Sequence, residues 1–371
     1  MVGRRARRSR SPEMLADRHG IPHLRGSTPA RSFPEVEECS GLTRMADVSS
    51  SSEPVVVPPR PAATRAGREV TGRRRGVGKR FLVVGDVLDG VLVQTSAEAV
   101  GTHDPAAVIQ HRSLGAAGNT ATWLGWLGAE VDLVARVGVD DVLRHERSLA
   151  DAGVRAHVRY DARAATGAIV SVRDGRGRTA MTDPAASGDL DAADVPGDLV
   201  ARADIVHLTG AAMLGGGGAE RIAGLVARAG SAGARVSLDP SAEAVVRSVG
   251  PEAFLAALDG VDVLFPDEAE ACALTGAATA AEAVRRLTAV VPLVVVTTGS
   301  DGALLGRPGR SPQRVPATPA TVVDTLGAGD AFAAGFLRAW ATDPVRVGAA
   351  AREGTRVASR ALGFVGGRPP V

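Results

Sequence analysis

"TVVDTLGAGDAFAAGFL", residues 321–337, decides the fold. An apolar, β-branched run stops at Asp324. Thr325 and Leu326 follow, then the small residues Gly327, Ala328 and Gly329, a second acid at Asp330, and an apolar pattern of helical period. Asp330 therefore stands at a helix mouth, directly after backbone nearly stripped of side chains. Two readings fit that spacing. One is an ordinary capping acid after a Gly-rich turn. In the other, the unpaired N–H groups and positive dipole of the helix start meet an anion. The small residues let the amides approach it. Asp330 then accepts a proton from an attacking hydroxyl, an arrangement suited to a transferring phosphoryl group.

Outward from this stretch, short apolar runs alternate with helical patterns from Phe81 onward. Buried strands are expected at 81–84, 131–135, 205–208, 235–238, 261–265 and 293–298, and helices at 118–128, 145–152, 219–232, 267–275, 280–289, 329–341 and 346–361. Strand then helix, repeated, predicts an α/β fold with a mostly parallel central sheet covered on both faces. Residues 90–114 and 155–183 break the rhythm with strand-like "VLV" and "AIVSV" and a turn at "DGRG". They are expected to form a small β excursion over one edge of the sheet.

The net charge of +2 hides an asymmetry. Residues 1–80 carry 17 basic and 8 acidic side chains, and the remainder 26 and 33. Residues 1–79, rich in Arg, Pro and Ser, hold no persistent amphipathic period and read as a disordered leader. It is either a dispensable tail, with Met45 as another candidate start, or a binding arm. The domain proper is expected over 80–371, acidic overall, which removes the main support for nucleic-acid binding by that part. Cys39 and Cys272 are the two cysteines, far apart and without metal-ligand company, which fits a reducing cytoplasm. No apolar run approaches the roughly 20 residues of a membrane span.

Three further stretches carry candidate chemistry. In "GAAGNTATWLGWLGA", 115–129, a small-residue turn enters a helix with Asn119 on its first turn. Asn119 is a simple cap or a donor and acceptor for a hydroxylated ligand; Trp123 and Trp126 read as packing. In "LFPDEAEACALTG", 264–276, Asp267, Glu268 and Glu270 crowd the start of a helix. They either complement its dipole or hold magnesium through water. In "VVVTTGSDGALL", 294–305, the alternatives are a hairpin and a nucleotide-contacting loop. "GVGKR", 76–80, is no phosphate loop, because Arg80 follows the lysine and the strand comes after it.

Taken together and in order, these motifs resemble the ribokinase-like (PfkB) carbohydrate kinases over about residues 81–366. "DTLGAGDAF" matches that family's most specific signature. "GAAGNTA" is similar to its N-terminal Gly-rich signature, and "TG" at 166–167, "PDEAEACALTG" and "TTGSDG" follow in family order. The resemblance implies a Rossmann-like αβα sandwich with a small β lid, with lid segments near 90–114 and 155–183. It makes Asp330 the catalytic base and Gly327, Ala328 and Gly329 the anion hole. Asp89, Gly115 and Asn119 would contact the sugar, and Thr297, Gly299 and Gly302 would lie by ATP. Asp267 and Glu270 would hold magnesium through water, and Asp324 would lie near a monovalent cation such as potassium. The chain departs from the pattern at Leu114, Leu143 and Asp267, where the family usually has Gly, Gly and Asn, and at Asp89, which stands one residue early.

The implied function is ATP-dependent phosphorylation of a hydroxyl on a small sugar or sugar-like molecule in the cytoplasm, with no membrane partner. A homodimer through the lid is an expected assembly. A nucleoside kinase of the same family and a non-catalytic sugar sensor on the same fold are the rival readings. No lysine follows Lys79, and Ala116 stands where relatives acting on phosphorylated sugars often carry one. An uncharged acceptor is therefore expected.

Overall fold

In the computed structural model, residues 78–95, 106–215 and 217–370 are described; the expected leader up to residue 77, with Cys39, lies outside the described residues, as does the tip of the first lid segment. Numbering follows chain order. The first strand, β1 (Arg80–Val84), reads RFLVV and has no polar residue to turn toward water inside its run. Its alternation sends Phe81 and Val83 into one core and Leu82 and Val84 into a second, on opposite faces of the sheet.

β1 lies between β4 (Glu130–Gly138) and β8 (Ile205–Thr209), parallel to both. Beyond β4 comes β5 (Val154–Asp161). Beyond β8 come β9 (Arg235–Asp239), β10 (Val263–Leu264) and β11 (Leu293–Thr297), all parallel. Two antiparallel strands, β12 (Ala303–Gly306) and β13 (Gln313–Val315), finish that edge. The order is β13-β12-β11-β10-β9-β8-β1-β4-β5, nine strands in one sheet.

Helices cover both faces. On the Phe81 side pack α1 (Ala116–Trp126), α2 (Val142–Asp151), α9 (Ala328–Thr342) and α10 (Val347–Ala361). On the Leu82 side pack α3 (Gly197–Arg202), α4 (Gly218–Ser231), α5 (Glu243–Val249), α6 (Pro251–Ala257), α7 (Glu268–Thr275) and α8 (Ala280–Leu287). This is the expected αβα sandwich.

A second sheet of four strands, β2 (Leu88–Gln94), β3 (Val108–Leu114), β6 (Ala168–Asp174) and β7 (Gly177–Asp183), runs in the order β3-β2-β6-β7. Its buried face is made by Leu88, Gly90 and Leu92 of β2 with Leu114 of β3, while β7 is exposed along its whole length. The buried face lies toward the loop quoted at the outset: Leu92 packs near Gly366, and Arg173 donates to the Val323 carbonyl.

Three expectations are corrected. Residues 154–161 belong to the large sheet, not to the excursion. They read as excursion because β5 is a polar edge strand, whose Arg155 and His157 both bond Asp132 of β4. The strand expected over 261–265 is two residues long, because Pro266 has no N–H to continue the ladder. Helices α3, α5 and α6 were not expected; at six or seven residues each they are too short to show a period. Among the described residues, no helix is long and apolar enough to cross a membrane.

Candidate active site

The strand order turns back at β1, the place where open α/β sheets bind ligands. Asp86 follows β1 directly and is 4% exposed. Its carboxylate accepts from the Ala116 and Ala117 amides at 2.9 and 3.3 Å and from Thr209 Oγ1, on the last residue of β8, at 2.9 Å. Asp86 so ties both central strands to the start of α1. Gly115, at φ 101°, caps that helix; a Cβ there would sit 2.6 Å from the Asp86 carbonyl oxygen. This close approach requires glycine.

One turn on, Asn119 is buried. Its Nδ2 donates to Asp330 Oδ2 at 2.8 Å, while its Oδ1 is buried without a partner. The "GAAGN" and "GAGD" turns thus meet in direct contact between α1 and α9. Trp123 is buried as expected and donates from Nε1 to the Gly367 carbonyl at 2.9 Å; Trp126 meets it edge-on and stays partly exposed.

The base loop is built around Gly327, the left-handed residue capping α9 (φ 75°). A Cβ on Gly327 would stand 2.3 Å from Gly367 Cα, whereas one on Gly329 would meet nothing within 4 Å. The Ala328 amide reaches the Thr325 carbonyl at 3.3 Å. Among the described residues no main-chain acceptor meets the Gly329 or Asp330 amide, as expected of a helix start open to an anion.

Asp324 is buried, and both of its carboxylate oxygens are used. One accepts from the Leu326 amide at 3.1 Å and the other from Gly366 at 3.0 Å. It clamps the loop to the C-terminal segment. Any cation beside it would share oxygens already bonded to amides.

Electrostatically the site is an acid cluster. Burial, and then the Asp239 charge, push the Asp330 carboxyl well above its usual range; Asn119 and Arg368 oppose the shift. Asp239, at the end of β9, is pushed up to about 7, mainly by burial. Ser241, which donates its amide to Asp239 at 2.7 Å, holds the left-handed conformation (φ 75°), uncommon for a non-glycine residue. Glu270 is pushed up by burial and by Asp239 and Asp267.

Asp267 and Glu270 form a reciprocal capping box on α7. The Glu270 amide donates to Asp267 Oδ1 at 2.8 Å, and the Asp267 amide to Glu270 Oε2 at 2.7 Å. The structural alternative is therefore present, and one oxygen of each acid stays outside the box. Among the described residues no three His, Cys, Asp or Glu side chains stand close enough to hold a metal alone. The donor set nevertheless suits magnesium, which keeps most of its waters and leans on substrate phosphates.

Thr297, Gly299 and Gly302 lie where β11 turns into β12. The stretch is a hairpin: the Thr298 amide donates to the Gly302 carbonyl at 2.9 Å. Gly302 (φ 94°) is obligatory, since a Cβ would meet the Val315 carbonyl at 2.1 Å, whereas Gly299 faces open space. Thr297 also pairs with Asp267, joining this hairpin to the acid cluster.

Asp89 is not brought to the others. Arg144 grips it with two bonds, at 2.7 and 2.8 Å, and the buried His145 ring lies against it. Standing one residue early puts it on the opposite face of β2, since side chains alternate. Gly90 takes the inward position, where a Cβ would strike Leu114 Cδ1 at 2.3 Å.

Sequence reasoning missed Asp86, Asp239 and Arg368. The first two carry a readable signal, an acid directly after a buried parallel strand. Arg368, 38 positions after Asp330, carries none. Its guanidinium donates to the Leu114 carbonyl at 3.1 Å and to Ser148 Oγ at 3.3 Å. Burial lowers its pKa to about 10, against the pull of Asp86, Asp330 and Asp89.

Known proteins share this fold. The chain is 39% identical over 195 residues to a 1-phosphofructokinase of Rhodobacter capsulatus, covering 50% of this chain and 58% of that protein. The fold superposes on an adenosine kinase from Sinorhizobium meliloti with a TM-score of 0.70 at 22% identity, covering 79% of this chain and 96% of that one. It also superposes on a putative ribokinase II from E. coli in complex with ATP and Mg²⁺, with a TM-score of 0.67 at 21% identity, covering 78% and 94%. The chain spans 58% of the phosphofructokinase's length and 61% of a further relative, the bifunctional protein HldE of Caulobacter vibrioides. The model of the pfkB family carbohydrate kinases matches residues 79–370, and the chain belongs to that family.

Proposed function

We propose that this protein transfers the terminal phosphoryl group of ATP to a hydroxyl of a small, uncharged sugar or polyol. The observation that carries this reading is the contact between Asn119 and Asp330 beside the open amides of α9. A carboxylate kept out of water, with a raised pKa, is a competent proton acceptor. The unpartnered Asn119 Oδ1 is an acceptor aimed at a hydroxyl donor.

In this reading the acceptor hydroxyl gives its proton to Asp330, while a neighbouring hydroxyl of the substrate donates to Asn119 Oδ1. The turn of Gly327, Ala328 and Gly329 receives the transferring group, its amide dipoles opposing the charge there. Arg368 holds positive charge behind the base. The hairpin of Thr297, Gly299 and Gly302 forms the nucleotide's bed, as the likeness to a nucleotide-bound neighbour supports. Magnesium would be held through water by the free oxygens of Asp267 and Glu270, and when bound it neutralises phosphate charge. A monovalent cation such as potassium beside Asp324 would stiffen the loop that Asp324 already clamps.

The uncharged acceptor is supported by the state of the arginines. Arg136 is held by Asp161 and Asp194, and Arg144 by Asp89 and Asp141. The 1-phosphofructokinase likeness supports the opposite choice. Arg112, whose stem lies 3.7 Å from the Cβ position of Gly366, is the residue that would serve it.

A homodimer through the lid is also proposed. Register puts Val91, Val93, Ile109, Val170, Val172 and Met181 on the outer face of the small sheet. Ile109 and Met181 are 58% and 57% exposed, an apolar patch suited to a second copy.

The test is ADP release with ATP and magnesium across free sugars, polyols, their monophosphates and nucleosides. Turnover of a free sugar or polyol above that of Asp330→Asn is the expected result. No substrate turned over faster than by that variant would overturn the kinase reading. Preference for the monophosphate of the best pair would overturn the uncharged acceptor.

A further inference from the structure

A second cleft lies away from the base loop. α9 starts at Asp330's turn and runs 15 residues, about 22 Å at 1.5 Å each. Just past its far end, the turn into α10 and the turn of the β12–β13 hairpin border a cleft of about 390 Å³. That size suits a small organic ligand. None of the candidate active-site residues lines it.

Its chemistry is one-sided. Arg307, Arg310, Arg346 and Arg352 line it, with Ser311 and Gln313 between them, and no Asp or Glu does. Asp343, on the preceding turn, meets Arg346 at 3.5 Å. Arg307 gives one long bond, 3.4 Å, to the Val345 carbonyl. Among the described residues, no carboxylate lies within ion-pair distance of Arg307, Arg310 or Arg352. Four arginines elsewhere, Arg247, Arg286, Arg314 and Arg356, each pair with an acid. The first turn of α10 forms one wall, so the positive end of that helix's dipole adds to the same field. Leu305, Val345 and Val347 supply an apolar side.

Three unmatched guanidinium groups around a cleft with an apolar wall are suited to phosphate oxygens and to a flat or aliphatic remainder. We propose that this cleft is a second anion site, which binds a nucleoside polyphosphate through its phosphates. A ligand held there ties the turn of the β12–β13 hairpin to the turn joining α9 and α10. It acts outside the phosphoryl-transfer site and does not depend on the identity of the sugar.

The experiment is calorimetric titration of the full chain with ADP, repeated on Arg310→Ala/Arg352→Ala and on Arg310→Gln/Arg352→Gln, which keeps side-chain length. The wild type is expected to bind two equivalents. Both double variants should keep the first unchanged and weaken the second at least tenfold, with wild-type Tm. Inorganic tripolyphosphate should displace the second equivalent, and adenosine should not. A single equivalent in the wild type, a second equivalent that survives in both variants, or displacement by adenosine would each overturn the proposal.

Discussion

Asn119 and Asp330, 211 positions apart, share a 2.8 Å hydrogen bond that joins the first turn of α1 to the first turn of α9. Asp330→Asn should lower kcat by about 10²–10⁴-fold, the usual worth of a general base. ADP affinity should stay within about twofold, since the amides that meet phosphate remain. Steady-state kinetics and ADP titration read the two quantities separately.

The same bond sets a pH dependence. Burial and neighbouring acids raise the pKa of Asp330, and the Asn119 donor lowers it. In the proposed mechanism deprotonated Asp330 is the active form, so kcat/KM should fall as pH drops through its raised pKa, above the usual carboxylate range. Asn119→Ala removes the donor that favours the charged form, and the acid limb should move to higher pH. An unmoved limb would show that Asn119 does not govern the proton on Asp330.

Two neighbouring glycines should answer differently to alanine. Gly327→Ala forces a Cβ to within 2.3 Å of Gly367 Cα at a left-handed φ, a cost of about 1–3 kcal/mol. Its Tm should fall by at least about 2 °C. Gly329→Ala meets nothing within 4 Å, so its Tm should hold while kcat falls, because the methyl group stands where the anion approaches. Calorimetry and turnover of both variants check this together.

The acid cluster predicts how stability follows pH. Asp239 titrates at about 7 in the native chain, against an ordinary 3.8. Between about pH 4 and 7 the native state thus holds a proton that the unfolded state has lost. Stability from this group is present at low pH and is lost as pH rises through that window. Asp239→Asn should raise Tm at pH 8 relative to wild type and change it little at pH 4. Magnesium should raise wild-type Tm more at pH 8 than at pH 5.5, where the carboxyls hold their protons.

Charging the lid's outer face should change the assembly. Ile109→Lys and Met181→Lys place cations in the apolar patch, and light scattering should read a monomer where the wild type reads a dimer. A monomeric wild type would remove the patch from consideration.

Most of the fold was legible because β1, β8, β9 and β11 are short apolar runs that only a covered parallel sheet can bury. β5 was misread because an edge strand satisfies its polar side chains with ion pairs, and its pattern then imitates an exposed excursion. At the site, Gly327 and Gly115 were legible as bare backbone, and the structure gives the reason in close approaches to Gly367 and Asp86. Asp89 was placed by its neighbourhood in the sequence, but a shift of one residue in a period of two turns a side chain to the other face. Arg368 was beyond reach, since its proximity to Asp86 and Asp330 follows from tertiary packing alone.

The clamp on the base loop is made by residues that follow every strand in the chain. Asp324 bonds the Gly366 amide, Trp123 bonds the Gly367 carbonyl, and Gly327 packs on Gly367. Every strand of both sheets precedes them in the chain. Domains assemble from the N-terminus as synthesis proceeds. The sheets and most of both cores can therefore form while Asp330 still lacks the segment that fixes its loop. The base loop takes its final shape only when residues 366–368 dock, so the proposed activity should appear after the sheets have formed, and deletion of residues 366–368 should abolish it while sparing the fold.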